Sequence, residues 1–174
     1  MNIILETERL LLREFEVADA PHYYELNQDP EVLRYTGDAP FPTLESAVDF
    51  LRNYDHYQQH GFGRWTVILR ETGELIGWCG LKYLQDVDEV DLGYRFFQKH
   101  WRKGYATESG KACVRYGFED LKLPFIVGRA MKGNIGSIRV LENCGLIWWK
   151  DCLLEDQPSV YYRIPAAPST KECI

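Results

Sequence analysis

The sequence Val90-Asp91-Leu92-Gly93-Tyr94-Arg95-Phe96-Phe97 alternates its side chains with a period of two residues, which is the period of an extended strand. It continues into Gln98-Lys99-His100-Trp101-Arg102-Lys103-Gly104-Tyr105-Ala106-Thr107-Glu108, which contains a short basic turn. From Ala106 to Leu121, small and apolar residues recur at intervals of three and four, the period of a helix. The stretch therefore predicts a strand, a basic turn and the start of a long helix.

The turn has the features of an anion site. Gly104 and the small Ala106 let the backbone approach a ligand closely, and the amides that open a helix lack intrahelical partners and carry the positive end of its dipole. Between Asp91 and Glu108 the chain has no acid, although its formal net charge is −6. The bases in that interval are Arg95, Lys99, Arg102 and Lys103. Spacing alone fits a phosphate site and an ordinary turn with a solvated basic face about equally well.

Length and composition narrow the class of protein. A chain of 174 residues predicts a single domain over residues 1–174 with its own core. Its apolar runs are shorter than the roughly 20 residues that span a bilayer, which argues against a membrane protein. The acidic balance argues against nucleic acid as a partner. The five cysteines have no metal-type spacing and follow no secretion signal, which predicts free thiols, no metal and a cytoplasmic location.

Three motifs resemble those of one known family. Trp101-Arg102-Lys103-Gly104-Tyr105-Ala106 is similar to the acyl-CoA pyrophosphate loop of the GNAT acetyltransferases, whose pattern is Gln/Arg-x-x-Gly-x-Gly/Ala. Asn134-Ile135-Gly136-Ser137-Ile138-Arg139-Val140-Leu141-Glu142-Asn143-Cys144-Gly145-Leu146 is similar to the Asn-x-x-Ser helix that this family ends with Gly-Phe. Glu6-Thr7-Glu8-Arg9-Leu10-Leu11-Leu12-Arg13 resembles the opening strand of the branch that contains the ribosomal-protein N-terminal (alanine) acetyltransferases. The resemblance covers about residues 6–164.

The predicted fold class is α/β (α+β), the GNAT fold. It has a central, mixed, mostly antiparallel, twisted sheet of about six to seven strands with helices on both faces. We expect helices over residues 17–26, 43–60, 104–121 and 134–144, and strands over residues 9–13, 65–69, 75–81, 90–97, 125–131, 146–154 and 159–164. Residues 29–31 and 37–42 are predicted breaks, and residues 165–174 a loosely ordered tail. The resemblance implies that the two crossover strands splay apart and that the arm of acyl-CoA lies between them.

The resemblance also implies which residues bind acetyl-CoA. Backbone amides from Arg102 to Thr107 would hold the pyrophosphate, and the main chain of Tyr94 and Phe96 would pair with the pantetheine arm as a strand edge pairs with an added strand. An amide near Phe96 or Phe97 would polarise the thioester carbonyl. The implied set is Tyr94, Phe96, Phe97, Arg102, Lys103, Gly104, Tyr105, Ala106, Thr107, Asn134 and Ser137.

The candidate general base is Asp91, which stands where the branch usually has a glutamate. The alternative is that Asp91 is a solvated or ion-paired acid, because proximity alone does not make a base. Glu89 and Glu108 are weaker candidates, and a carboxylate at Glu108 already suits the first turn of a helix.

The candidate proton donor is Ser137. Many GNAT enzymes carry a tyrosine for this purpose seven residues after the motif asparagine, but Leu141 occupies that position here. The resemblance passes the role to Ser137 and makes Asn134 part of the same site. The alternative is that Asn134 and Ser137 only cap the helix, and the two roles are compatible.

The implied function is N-acetyl transfer from acetyl-CoA to a primary amine by direct attack, without a metal and without an acetyl-enzyme. The acceptor stays open between a protein N-terminus and a small amine, and a homodimer stays open as well. If the side chain of Arg95 faces the acceptor, the acceptor would carry a carboxylate. One alternative is an acyl-CoA-binding sensor without turnover, and another is an interaction domain that does not bind CoA.

Overall fold

Eight strands form one sheet in the structure, a computed structural model that describes residues 2–167. They are β1 Ile3–Glu6, β2 Leu10–Arg13, β3 Arg64–Leu69, β4 Leu75–Leu84, β5 Glu89–Phe96, β6 Phe125–Met131, β7 Ile147–Leu154 and β8 Gln157–Pro165. Their order in the sheet is β1-β2-β3-β4-β5-β6-β8-β7. All neighbours are antiparallel except β5 and β6, which confirms the mixed, mostly antiparallel sheet.

The α-helices of this part of the chain are α1 Ala20–Leu26, α2 Pro30–Leu33, α3 Leu44–Arg52, α4 His56–His60, α5 Tyr105–Glu119 and α6 Ile135–Asn143. Short 3-10 segments precede α1 at Val17–Asp19 and α5 at Gln98–His100. No helix within residues 2–167 has the length and apolarity needed to cross a membrane.

Helices cover both faces of the sheet, as the fold class predicts. Successive residues of a strand point to opposite faces. On β4, Cys79 lies in the core cluster that includes Cys113 of α5 and Leu141 of α6. Its neighbour Trp78 packs against the second cluster, which contains residues of α1 and α3. The sheet is therefore sandwiched between α5 and α6 on one side and α1 and α3 on the other.

The strand count of six to seven was too low because Ile3–Glu6 forms an additional edge strand. The hairpin that joins it to β2 is closed by Thr7, whose backbone N–H donates to the Leu10 carbonyl at 2.9 Å. The Thr7 hydroxyl oxygen accepts from the Leu10 amide at 3.1 Å. Pairing with β2 lets a run of four residues be a strand although its sequence is too short to show a period.

Three further predictions were wrong in detail. The helix predicted over residues 43–60 is interrupted after Arg52 and forms α3 and α4. The break predicted at residues 29–31 contains the start of α2, where the Asp29 carboxylate accepts from the Glu31 amide at 2.9 Å. Strand β8 extends to Pro165, which pairs with Phe125, so the predicted tail begins later. Residues 168–174 of that tail, with Cys173, lie outside the described residues.

The parallel strands β5 and β6 diverge at the centre of the sheet. Within residues 2–167, the two strands pair directly at Asp91 and Val127 alone. Beyond this point β5 continues to Phe96 beside β4, whereas β6 continues to Met131 beside β8. The divergence confirms the splay that the resemblance implies, and it leaves a gap between two strand edges.

His56 is held as a neutral imidazole between α4 and β4. Its Nε2 accepts from the Tyr83 amide at 3.0 Å, and its Nδ1 lies 2.6 Å from the Phe62 carbonyl, to which it can donate. Burial lowers the pKa of His56 below its ordinary value of 6.5, although the Phe62 carbonyl opposes the shift. Positive charge on the neighbouring His60, Lys82 and Arg64 side chains lowers the pKa of His56 further.

We therefore expect acid to destabilise the protein through His56. The unfolded state takes up the proton first, so the contribution is complete above about pH 6.5 and is lost as the pH falls towards the folded-state pKa. The slope from this one group is at most about 1.4 kcal/mol per pH unit. Urea unfolding at pH 8 and pH 5.5 measures it, with His56→Gln expected to flatten the dependence and a substitution of the exposed His22, His22→Gln, as the control. Equal slopes for the wild type and His56→Gln would contradict this assignment.

Candidate active site

The gap between β5 and β6 opens into a cavity of about 730 Å³. Its walls come from the end of β5, the turn before α5, the first turns of α5 and α6, and α2 with the residues after it. Most of the predicted cofactor residues line it, namely Tyr94, Phe96, Arg102, Gly104, Tyr105, Ala106, Thr107, Asn134 and Ser137. Phe97, Lys103 and Asp91 are not among its lining residues.

The turn before α5 forms a concave set of backbone amides. Arg102 has a φ of 60° and Gly104 a φ of 82°, both in the left-handed region. Such residues turn successive N–H groups towards one point and make anion-binding concavities. The first bond of the helix runs from the Glu108 amide to the Gly104 carbonyl at 2.9 Å, so the amides of Tyr105–Thr107 have no intrahelical acceptor.

Trp101 fastens the start of this turn to β5. Its indole N–H donates to the Phe96 carbonyl at 2.8 Å. From the sequence, Trp101 was only a departure from the usual Gln or Arg of the loop. The structure gives the indole a specific function, because the bond fixes where the turn leaves the strand.

The N-terminal segment clamps the other side of the turn. The Glu108 carboxylate accepts from the Thr7 hydroxyl at 2.6 Å and from the Arg9 backbone amide at 2.9 Å. The Arg9 guanidinium pairs with Glu108 at 2.6 Å and donates to the Lys103 carbonyl at 3.0 Å. Glu108 is thus engaged in holding the loop, a long-range contact that could not be predicted from the sequence.

The open edge of β5 presents the main chain of Tyr94 and the amide of Phe96, whose carbonyl already accepts from Trp101. The Phe97 amide donates to the Ile76 carbonyl of β4 at 3.1 Å, so it faces away from the gap. Since backbone groups alternate along a strand, those of Phe96 and Tyr94 face the gap. Of the two amides predicted to polarise the thioester, the geometry therefore favours Phe96 over Phe97.

Ser137 lies beside the phenol of Tyr94 at the start of α6. The Tyr94 hydroxyl donates to the Ser137 carbonyl at 2.8 Å and lies 3.0 Å from Ser137 Oγ. The Asn134 side chain accepts from the Ser137 amide at 3.1 Å and so caps the helix. Burial raises the pKa of Tyr94, which keeps the phenol protonated and available as a donor. Asn134 therefore has the predicted capping role, and the serine hydroxyl stays at the cavity wall.

Leu141 occupies the position of the family tyrosine and is only 1% exposed. It lies in the core against Gly128, where an added Cβ would come within 2.4 Å of the leucine side chain. A tyrosine-based proton donor is thus absent from this position, and the packing leaves no room for its ring without rearrangement.

Asp91 lies under the splay and is 7% exposed. Its carboxylate pairs with Arg64 at 2.6 Å and approaches Arg129 at 3.6 Å, while its carbonyl accepts from Arg64 at 2.8 Å. Glu89, the second candidate base, accepts a hydrogen bond from Tyr161. The geometry favours a structural role for Asp91, and its role as a base stays a prediction.

His100 is a cavity residue that the sequence did not single out. Its side chain is 7% exposed, and its Nε2 lies 3.2 Å from the Glu74 carboxylate. Its buried Nδ1 has no hydrogen-bond partner among the described residues. An unpaired nitrogen at a cavity wall is suited to a polar group of a ligand.

These features fit acetyl-CoA. The concave amides and the Arg102 side chain suit a diphosphate, the open edge of β5 suits a chain of secondary amides, and the Phe96 amide suits a carbonyl. Ser137, the predicted proton donor, lines the same cavity.

Comparison with known proteins agrees with this geometry. The family profile described as "Acetyltransferase (GNAT) domain" matches residues 9–147. The uncharacterised N-acetyltransferase p20 of Bacillus licheniformis is 34% identical over 162 residues, which cover 92% of this chain and 90% of that protein. The crystal structure of an acetyltransferase from Agrobacterium tumefaciens is 30% identical, with a TM-score of 0.80 and 92% of each chain covered.

The same fold occurs in ribosomal-protein-S5-alanine acetyltransferase from Vibrio fischeri, at 16% identity, a TM-score of 0.79, and 94% of this chain and 97% of that one covered. At this identity the likeness shows the fold alone. Members of the family use acetyl-CoA as the acetyl donor. The chain therefore belongs to the GNAT family and is an acetyl-CoA-dependent N-acetyltransferase.

Proposed function

We propose that this enzyme transfers the acetyl group to a primary amine by direct attack within the cavity between β5 and β6. The observation that carries the proposal is the convergence of the amide concavity at Gly104, the open edge of β5 and the Ser137 hydroxyl on one cavity. Acetyl-CoA supplies an activated acetyl group as a thioester.

The chain's own groups supply alignment and charge stabilisation. The amides of Tyr105–Thr107 and the Arg102 side chain hold the diphosphate, and the main chain of Tyr94 and Phe96 holds the amide-rich arm. The Phe96 N–H donates to the carbonyl oxygen as negative charge grows on it. The amine nitrogen bonds to the carbonyl carbon, the carbon–sulfur bond breaks, and the Ser137 hydroxyl relays a proton from solvent to the departing sulfur, so that the serine ends the step protonated. Because Asp91 is ion-paired, we propose that the amine loses its proton to solvent.

The cysteines support transfer without an acetyl-enzyme. Cys79, Cys113 and Cys144 are buried, and none of them lines the cavity. Burial also raises the pKa of Cys144 to about 12, which makes this thiol a poor nucleophile at neutral pH. Acetylation of one of these thiols during turnover would contradict direct attack.

Steady acetylation of an amine by the purified protein tests the proposal. Binding of acetyl-CoA without turnover across a broad amine panel would favour the sensor alternative, and absence of binding would favour an interaction domain. A peptide array beside a metabolite panel separates protein N-termini, the acceptors of the branch, from small amines.

Replacing Ser137 by alanine is expected to lower kcat by on the order of 100-fold, which is the lower range for a lost general acid. The affinity for acetyl-CoA should change little, because the amides that hold the diphosphate lie on another helix. Stopped assays of thiol release and calorimetric titration measure the two quantities. Asn134→Ala is the matched control, since it removes the cap and keeps the hydroxyl. If both variants kept the native kcat and lost only stability, Asn134 and Ser137 would serve only as the cap of α6, and Ser137 would not be the proton donor.

The single domain over residues 1–174, the cytoplasmic location, the absence of a metal and the homodimer stay predictions.

A further inference from the structure

Arg95 is a charged residue in the wall of the cavity, on the face of the sheet opposite to α5. It pairs across β4 with Trp78, and its guanidinium lies 5.4 Å from the centre of that indole. Its side chain is only 12% exposed. The guanidinium donates to the side-chain oxygen of Asn27 and to the Asp38 carboxylate, the latter at 2.5 Å. Arg95 is thus preorganised by stacking and by one amide, with a carboxylate on its remaining edge.

The carboxylate comes from the segment that follows α2, in which Tyr35 and Thr36 line the cavity. Residues 34–43 run from α2 to α3, with Tyr35 packed against Gly133 and Gly37 packed against Glu155. Asp38 is 59% exposed, in contrast to its partner. Because Asp38 is largely solvated, a second carboxylate can take its place without leaving the buried guanidinium of Arg95 unpaired.

The surroundings of Arg95 are cationic. Arg64 lies 5.5 Å from the centre of the same Trp78 indole and pairs with Asp91. Arg129, 29% exposed, approaches Asp91 with its buried Nε at 3.6 Å, and this nitrogen has no hydrogen-bond partner among the described residues. Three guanidinium groups therefore share the carboxylates of Asp91 and Asp38. Glu31, at the cavity wall, lies 3.5 Å from Arg34.

We propose that the acceptor is a small amine that carries a carboxylate, and that this carboxylate replaces Asp38 on Arg95. The inference rests on the proposed function and names the substrate class of the same site. A planar guanidinium whose position is fixed by Trp78 and Asn27 can bind a carboxylate through two parallel hydrogen bonds. Exchanging one carboxylate for another leaves the local charge balance unchanged. A polyamine would instead bring positive charge next to Arg95, and a protein N-terminus would present a peptide carbonyl there.

The rival explanation is that the ion pair of Arg95 and Asp38 serves only to stabilise the position of residues 34–43. The two explanations make opposite predictions for the two sides of one ion pair. If the ion pair only stabilises this segment, Arg95→Gln and Asp38→Asn destabilise the same segment and have the same effect on the acetylation of every acceptor. If Arg95 binds the acceptor, replacing Arg95 weakens the binding of acceptors that carry a carboxylate. Replacing Asp38 removes a competing carboxylate and strengthens their binding.

The test uses the full chain and matched acceptors, namely α-amino acids with their carboxamides, short peptides and spermidine. The wild type should prefer the carboxylate member of a pair by about 10-fold or more in kcat/KM. Arg95→Gln should bring this ratio close to one, with unchanged affinity for acetyl-CoA. Asp38→Asn should lower KM for the carboxylate member by about threefold. Arg95→Lys, which keeps the charge and loses the planar fork, should retain part of the preference.

Three outcomes would overturn the inference. The first is that carboxamides, polyamines or peptide N-termini are acetylated as well as the acceptors with a carboxylate. The second is that no acceptor of the panel is acetylated. The third is that Arg95→Gln and Asp38→Asn lower kcat/KM in parallel for both members of a pair. Calorimetric titration with acetyl-CoA separates this failure from that of the proposed function. If the protein binds acetyl-CoA and acetylates amines that lack a carboxylate, only the inference about the acceptor is wrong. If it does not bind acetyl-CoA, the proposed function is wrong as well.

Discussion

Replacing Gly104 by valine is expected to raise the Kd for acetyl-CoA by at least about 100-fold while leaving the protein folded. Gly104 has a φ of 82°, a conformation that β-branched residues strongly disfavour. An added side chain would also stand at the mouth of the amide concavity, where the backbone must approach the diphosphate. Its Cβ would lie 3.3 Å from Arg9, which holds the turn from outside. Calorimetric titration with acetyl-CoA measures the loss.

The matched control is Gly61→Val. Gly61 has a φ of 78° at the end of α4, and an added Cβ there would meet no atom within 4 Å. The two variants therefore carry similar backbone strain, but only one of them alters the turn before α5. Equal affinity in both variants would mean that the diphosphate binds elsewhere.

Replacing Asp91 by asparagine is expected to lower the free energy of unfolding by about 3 kcal/mol, since it leaves the buried guanidinium of Arg64 without its carboxylate. Arg129 would lose its nearest acid as well. If Asp91 is structural, as its ion pairs indicate, kcat of the folded fraction should stay within a few-fold of the wild type. Urea unfolding and a pH–rate profile, measured on the same preparation, give the two quantities.

An exposed ion pair provides the comparison for this variant. Asp151 lies 2.5 Å from Lys132, with side chains 59% and 48% exposed, and Asp151→Asn should cost less than about 1 kcal/mol. Asp91 would instead be the general base if Asp91→Asn lowered kcat by about 100-fold or more. The pH–rate profile should then also shift to higher pH, as expected when a base is lost.

The strand, turn and helix around Gly104 could be predicted because their signals are local. The two-residue period of Val90–Phe96 and the three-to-four period after Ala106 are properties of neighbouring residues, and a sheet face or a helix face must obey them. The motif at Asn134 was equally local, since a helix cap is set by a side chain and the amide three residues later.

The contacts that shape the site could not be predicted in the same way. Arg9 and Glu108 are separated by 99 residues, and Arg95 and Asp38 by 57. Nothing in the spacing of such residues distinguishes a buried pair from two solvated charges. For the same reason Asp91 could be assigned as a base or as an ion-paired acid from sequence, and only the positions of Arg64 and Arg129 favour the second.

The divergence of β5 and β6 has a consequence for how the protein keeps its unpaired backbone groups away from other chains. A free strand edge on the outside of a sheet is a template for aggregation. Here the open edges lie in the interior of the sheet, joined at Asp91 and Val127, and α6 closes the cavity with Ser137. A polypeptide with side chains on both faces would collide with these walls, whereas a slender, unbranched arm would not. The enzyme can thus keep sheet-type hydrogen bonds ready for its substrate without offering them to other proteins.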